Sequence, residues 1–188
     1  MQEILELKHS LENERPVSWR DFPDIDIYMD QVLTYMERQH INDQLTSAMV
    51  NNYIKSGVLP RASGKKYGKE HLAYLTAICM LKQVISVSDT DILLKAELQK
   101  SDIEDFYANY CGLLDLSLHD AAASVPEEMD LQQLSSAALK LAVASYAQKI
   151  ACQRLINIML QKNGEYNKKE TVKKNQEKKQ EKKQSKNS

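Results

Sequence analysis

Glycine and proline are scarce in this chain, five and four among 188 residues, which excludes a turn-rich β architecture; with 43% hydrophobic residues the composition favours helices. Long apolar runs are missing too. No stretch approaches the ~20 uninterrupted apolar residues needed to cross a bilayer, and MQEILELKHSLENE at the N-terminus has acids where a signal peptide has its basic region. The chain therefore reads as cytoplasmic, with no membrane partner. Cys79, Cys111 and Cys152 are widely separated and form no CxxC pair, which excludes a disulfide framework and leaves buried thiols on apolar helices. Catalytic signatures are lacking: there is no GxSxG, P-loop or GxGxxG, and His9, His40, His71 and His119 are scattered without ligand spacing. Ser117, His119 and Asp120 are close in sequence, but a nucleophile, base and orienter are assembled by the fold and not by adjacency. The expectation is a non-enzymatic chain with no cofactor and no bound metal.

Charge is unevenly placed. Residues 46–83 carry +5, while residues 1–45 carry −6, residues 84–164 carry −5 and residues 165–188 carry +5, so the net charge of −1 conceals faces of opposite sign. In the window 46–83 the basic residues are Lys55, Arg61, Lys65, Lys66, Lys69 and Lys82, against Glu70. A solvated surface and a nucleic-acid contact both fit such a block.

The order of elements follows from periodicity and breakers. Ile4, Leu5, Leu7 and Leu11 suggest a first amphipathic helix that Pro16 ends, and Trp19, Phe22 and Pro23 form an aromatic anchor. Ile25, Ile27, Tyr28, Val32, Leu33 and Met36 predict a helix from Asp24 to Gln39, with Asp24 and Asp26 in its first turn, where the helix dipole favours acids. Asp26 and Asp30 would then share a face, a geometry compatible with a metal or acid/base pair, though the dipole alone explains the acids there.

After a turn at 40–44, Thr46 or Ser47 can cap a short helix that Gly57 stops. Val50 and Ile54, with Met49 and Tyr53 beside them, make its inward face. Ser47, Asn51, Asn52 and Lys55 point outward. Asparagine amides suit adenine edges and lysine suits phosphates, although exposed polar residues are also usual on any amphipathic helix. Residues 57–67, with Pro60, Ser63 and Gly64, predict a small two-stranded wing carrying Arg61, Lys65 and Lys66 at its tip. Lys69 to Ile85, through Leu72, Leu75, Ile78, Cys79, Leu81 and Val84, should be a helix central to the core. Ser86 or Ser88 then caps a helix packed by Ile92, Leu93, Ala96 and Leu98, followed by one through Ile103, Phe106, Tyr107 and Tyr110.

The run VNNYIKSGVLP, the basic turn ending in Tyr67, KEHLAYLTAICMLKQV and SVSDTDILL together resemble the DNA-binding head of MerR-type regulators over residues 41–95. With PDIDIYMDQV upstream, most of residues 15–160 also resembles an uncharacterised bacterial family of unknown function carrying that head. The resemblance implies a mainly α fold with a winged helix-turn-helix head and a small β wing. It also implies a transcriptional regulator bound to double-stranded DNA, with Ser47, Asn51 and Asn52 reading bases and Tyr53, Lys55, Arg61, Lys65 and Lys66 gripping phosphates. Where the MerR pattern has an arginine and two aromatics before the wing, this chain has Asn51, Asn52 and Tyr53, so Tyr53 is the residue that carries over. The wing arginine is matched by Lys65 or Lys66.

Residues 115–130 read as a polar connection containing Pro126, and Leu131 to Gln161 as one long helix with two apolar stripes. One follows Leu131, Leu134, Ala138, Leu141, Ser145, Gln148, Cys152, Leu155 and Met159; the other follows Leu139, Val143, Tyr146 and Ile150. Both must be buried, in an intramolecular core or against a second copy, and the MerR resemblance implies a homodimer through residues 131–161. The chain thus divides into an N-terminal helical segment (1–40), a winged head (41–100), a helical effector or dimerisation region (101–164) and a lysine-rich tail (165–188) expected to be disordered. No residue identifies a small-molecule effector. The alternative to DNA binding is a helical protein-interaction module using the same head as a scaffold.

Overall fold

The computed structural model describes residues 2–39 and 45–184, with side chains described through residue 162. It is mainly helical. Among the described residues the helices are α1 (Gln2–Asn13), α2 (Met29–Glu37), α3 (Ser47–Ser56), α4 (Lys69–Leu81), α5 (Val87–Glu97), α6 (Ile103–Ala123) and α7 (Leu131–Gln184). A 3-10 turn covers Trp19–Asp21, and two short strands, β1 (Ile27–Tyr28) and β2 (Lys66–Tyr67), form an antiparallel sheet. No described helix is long and apolar enough to cross a membrane. The chain divides into two compact units, residues 1–146 and 147–188, the second being the continuation of α7.

Within the first unit the core is organised around α4. Leu72, Ala73, Leu75, Thr76, Ala77, Ile78 and Cys79 are all buried, and seven buried positions among eight consecutive residues cover every face of a helix. The expectation of a central helix holds here, with a shorter extent: α4 stops at Leu81, Ile85 turns inward and Val84 is 49% exposed. Phe22, Ile27, Val32 and Met36 share one apolar cluster with Val50 and Tyr53 of α3, Leu94 of α5 and Tyr107 of α6. The aromatic anchor is tied to that cluster. Phe22 lies 5.2 Å from the Tyr107 ring and 6.2 Å edge-on from Trp19, and the Tyr107 hydroxyl donates to the Val17 carbonyl at 2.8 Å. Burial pushes the Tyr107 and Tyr110 hydroxyls, and with less force the Cys111 thiol, above their usual pKa values, so all three stay protonated as packing groups. Cys79 is buried and Cys111 and Cys152 are half-buried, and among the described residues none of the three is in a disulfide.

Several expected boundaries move. The helix expected from Asp24 begins at Met29, because residues 24–28 are bent and extended and Ile27 and Tyr28 enter the β-ladder. Asp24 accepts from Lys69 Nζ at 2.9 Å, and neither Asp24 nor Asp26 lies in a first helical turn. Asp26 and Asp30 consequently share no helix face. The connection expected at 115–130 is helical as far as Ala123: DLSLHDAAA contains no glycine or proline, and Pro126 lies beyond the C-cap Ser124. In α5 the fully buried residues are Thr90 and Leu94, with Ile92, Leu93, Ala96 and Leu98 half-buried. α1 packs along α6, with Ile4 buried.

Other boundaries stand as expected. α1 ends before Pro16, Thr46 caps α3, Ser86 caps α5, and α7 starts at Leu131. At that last start the Asp130 carboxylate accepts from the Gln133 N–H while the Gln133 side chain accepts from the Asp130 N–H, both at 2.8 Å. The turn expected at 40–44 lies outside the described residues. The tail expected to be disordered at 165–188 has its side chains outside them; its backbone continues α7 to Gln184.

Placement of Leu75 at 0% exposure and Val84 at 49% separates two residues that sequence spacing treats alike. Leu75→Ala should destabilise the protein by about 2–5 kcal/mol in urea unfolding, and Val84→Ala should stay within about 0.5 kcal/mol of wild type. Equal costs would contradict this packing.

Candidate nucleic-acid interface

α3 and the chain that follows it form one continuous surface. Thr46 Oγ1 accepts from the Met49 N–H at 3.2 Å at one end of α3, and Gly57, at φ 78°, closes the other. The N–H groups of Val58 and Leu59 both donate to the Tyr53 carbonyl, at 2.9 and 3.1 Å, and both side chains are buried. That double anchor fixes how the chain leaves the helix, and Pro60 leads it outward to Arg61. Of the expected contact residues on α3, Ser47, Asn51, Asn52 and Lys55 are exposed on one side. Tyr53 is not available there. It is 5% exposed and packs in the core beside Val50, so its expected role as a phosphate contact is corrected; Ile54, expected inward, is half-buried. Sequence spacing placed Tyr53 beside the inward stripe, and its phenol simply fills that position.

The wing differs from the expected self-contained hairpin. Ser63 and Lys66 form a single bridge around Gly64 and Lys65, with the Lys66 N–H donating to the Ser63 carbonyl at 2.9 Å. Strand β2 then takes its partner from upstream, Ile27 opposite Tyr67 and Tyr28 opposite Lys66. Gly64 at φ 57° and Lys65 at φ 66° give the two positive angles of a tight two-residue turn. For a lysine that conformation costs about 1–2 kcal/mol. Strain held at a solvent-facing basic tip is an observation from which function can be argued.

At the base of the turn, His71 Nδ1 accepts from the Gly68 N–H at 3.2 Å, and its Nε2 lies 3.4 Å from the Arg61 carbonyl. Asp26 closes the same corner: a Cβ placed at Gly68 would fall 2.7 Å from Asp26 Oδ1. His71 and Asp26 therefore act as scaffold, and among the described residues no group of His, Cys, Asp or Glu is arranged to hold a metal.

The positive window splits by environment. Lys69 is ion-paired with Asp24 and lies 5.5 Å from the Trp19 ring centroid, and Lys82 is half-buried. Arg61, Lys55, Lys65 and Lys66 are exposed, and among the described residues no ion pair engages them. The exposed positive charge of this face rests on those four. Sequence reasoning missed Tyr28, 52% exposed, whose ring centroid lies 5.4 Å from Lys66 Nζ; no local signal marks it, because the strand that carries it is only two residues long.

Two depressions border this surface or lie apart from it. An open groove of about 620 Å³ between α3 and the α4–α5 junction is lined by Met49, Asn52, Tyr53, Lys82, Ile85 and Val87 among others. A crevice of about 350 Å³ between α1 and α6 is polar, with His119 Nδ1 3.6 Å from Glu12 Oε1 and Arg15 3.4 Å from Asp115. Ser117 Oγ donates to the Leu113 carbonyl at 2.8 Å, which occupies its hydrogen within α6.

The chain belongs to the family described as "Domain of unknown function (DUF1836)", whose family model matches residues 17–110. That agrees with the expected uncharacterised family over a shorter span than residues 15–160. No curated protein and no solved structure matches the chain. The matched span holds β1, β2, α2 to α5 and the whole surface described above.

The paired positive angles predict opposite outcomes at neighbouring positions. Lys65→Gly should raise stability by about 0.5–1 kcal/mol, by removing the penalty on a left-handed side chain, whereas Gly64→Ala should lower it by about 1 kcal/mol. Urea midpoints of the two variants check this directly; shifts in the same direction would contradict it.

Proposed function

We propose that this chain is a sequence-specific DNA-binding transcriptional regulator with a MerR-like winged helix-turn-helix head. α3 enters the major groove, with Ser47, Asn51 and Asn52 reading base edges, and Lys55, Arg61, Lys65 and Lys66 take backbone phosphates. The observation that carries this reading is the concentration on α3 and the adjoining turn of exposed basic side chains that no ion pair engages among the described residues, in a chain whose flanking segments 1–45 and 84–164 are acidic. The acidic flanks disfavour DNA elsewhere on residues 1–146 and so orient the approach.

A second copy completes the regulator. Residues 131–146 of α7 are exposed on both expected stripes, with Leu131, Leu139, Val143 and Tyr146 at 82, 66, 60 and 67%. Large exposed apolar surface of this kind marks an interaction site. The intramolecular core weighed for these residues is thus the less favoured alternative, and pairing through residues 131–161 would let two heads address half-sites about 34 Å apart. The same stripe is what favours the competing class, a helical module that binds another protein.

Two measurements test these proposals. In fluorescence anisotropy against duplex DNA over a salt series, Lys65→Ala and Lys66→Ala should weaken all sequences alike and each lower the salt slope by about 0.9, while Asn51→Ala should erode discrimination between sequences by about 1–3 kcal/mol. Unchanged affinity in all three variants sinks the DNA reading. In sedimentation equilibrium the wild type should be a dimer and Leu139→Asp/Val143→Asp a monomer; a monomeric wild type rules out the pairing.

A further inference from the structure

Adjacent residues of a strand point to opposite faces. In the β1–β2 ladder Ile27 and Tyr67 turn inward, at 8% and 5% exposure, so their neighbours Tyr28 and Lys66, also paired with each other, turn outward. Cross-strand partners on one face lie about 4.5–5.5 Å apart at Cβ, close enough for side chains to touch. Lys66 Nζ sits 5.4 Å from the Tyr28 ring centroid, inside the ~6 Å range of a cation–π contact. Tyr28 is held from a second direction as well, its backbone N–H donating to Gln31 Oε1 at 2.9 Å where α2 begins. The ring is no part of the apolar core.

We infer that Tyr28 is a positioning residue of the nucleic-acid interface, its ring holding the Lys66 ammonium in place to meet a backbone phosphate; this rests on the DNA-binding reading above. Lysine carries a compact charge on a flexible four-carbon stem and loses much rotamer freedom when fixed. A side chain ordered before binding loses less on binding, which raises affinity. The ring orders the ammonium without neutralising it, unlike a carboxylate. Lys69 makes the contrast: it too lies over a ring, that of Trp19, but Asp24 holds it at 2.9 Å and its charge is satisfied within the fold.

The test is a double-mutant cycle on the full chain, read by anisotropy with a mixed-sequence duplex at about 50 mM salt, where phosphate contacts dominate. Tyr28→Ala should weaken binding about 2–5-fold, the size of an exposed cation–π contact. Tyr28→Phe should bind like wild type. In the Lys66→Ala background Tyr28→Ala should have no further effect, an outcome that a merely structural role for Tyr28 does not produce. Should Tyr28→Ala disturb the ladder, Tyr28→Leu keeps the bulk, removes the ring face and carries the same comparison. Equal losses in both backgrounds overturn the positioning role and leave DNA binding intact. Absence of any binding by the wild type overturns both.

Discussion

Burial of α4 on all sides leaves it one seat in the core, and the position of everything that could act on a ligand follows from that seat. Its first turn is clamped by Lys69 to Asp24 and by His71 to Gly68 and the Arg61 carbonyl, so the chain just before it, the basic turn at 63–66, has little freedom to move. The same burial draws Val58 and Leu59 inward, and they close the end of α3. Two surfaces that sequence treats separately, the outward side of α3 and the basic turn, are thereby locked to a single rigid element. Rigid support of this kind lets a binding site meet a fixed target such as the groove and backbone of duplex DNA at low ordering cost.

The upstream strand gives this arrangement its second support. A two-residue ladder is marginal alone, and here it persists because Ile27 and Tyr67 insert into the core that α4 organises. Residues 22–36 are therefore structurally continuous with α3 and α4: Phe22, Ile27, Val32 and Met36 pack in the same cluster as Val50 and Leu72. The matched family span beginning at residue 17 includes the anchor and β1, in keeping with that continuity.

Much of the helical framework was legible in the sequence. Thr46, Gly57 and Ser86 mark helix ends by capping chemistry that depends on neighbours a few residues away, and those ends fall where expected. Interactions across long separations were not legible. DIDIY is too short for its period to distinguish strand from helix, and its strand character exists only because Lys66 and Tyr67 pair with it. Periodicity placed Tyr53 on the inward face of α3, where it is buried; the phosphate role came from the family resemblance alone. The charge window was visible as a total, but the loss of Lys69 to Asp24 across 45 residues was not.

Chemical-shift mapping of backbone amides with a short duplex at low salt tests the central claim most directly, because it reports where on the protein the DNA sits. Shifts should concentrate on Ser47, Asn51, Asn52, Lys55, Arg61, Lys65 and Lys66, with Tyr28 joining them. Shifts gathered instead on α6 near Leu113 and Leu116, or none at all, would contradict the account.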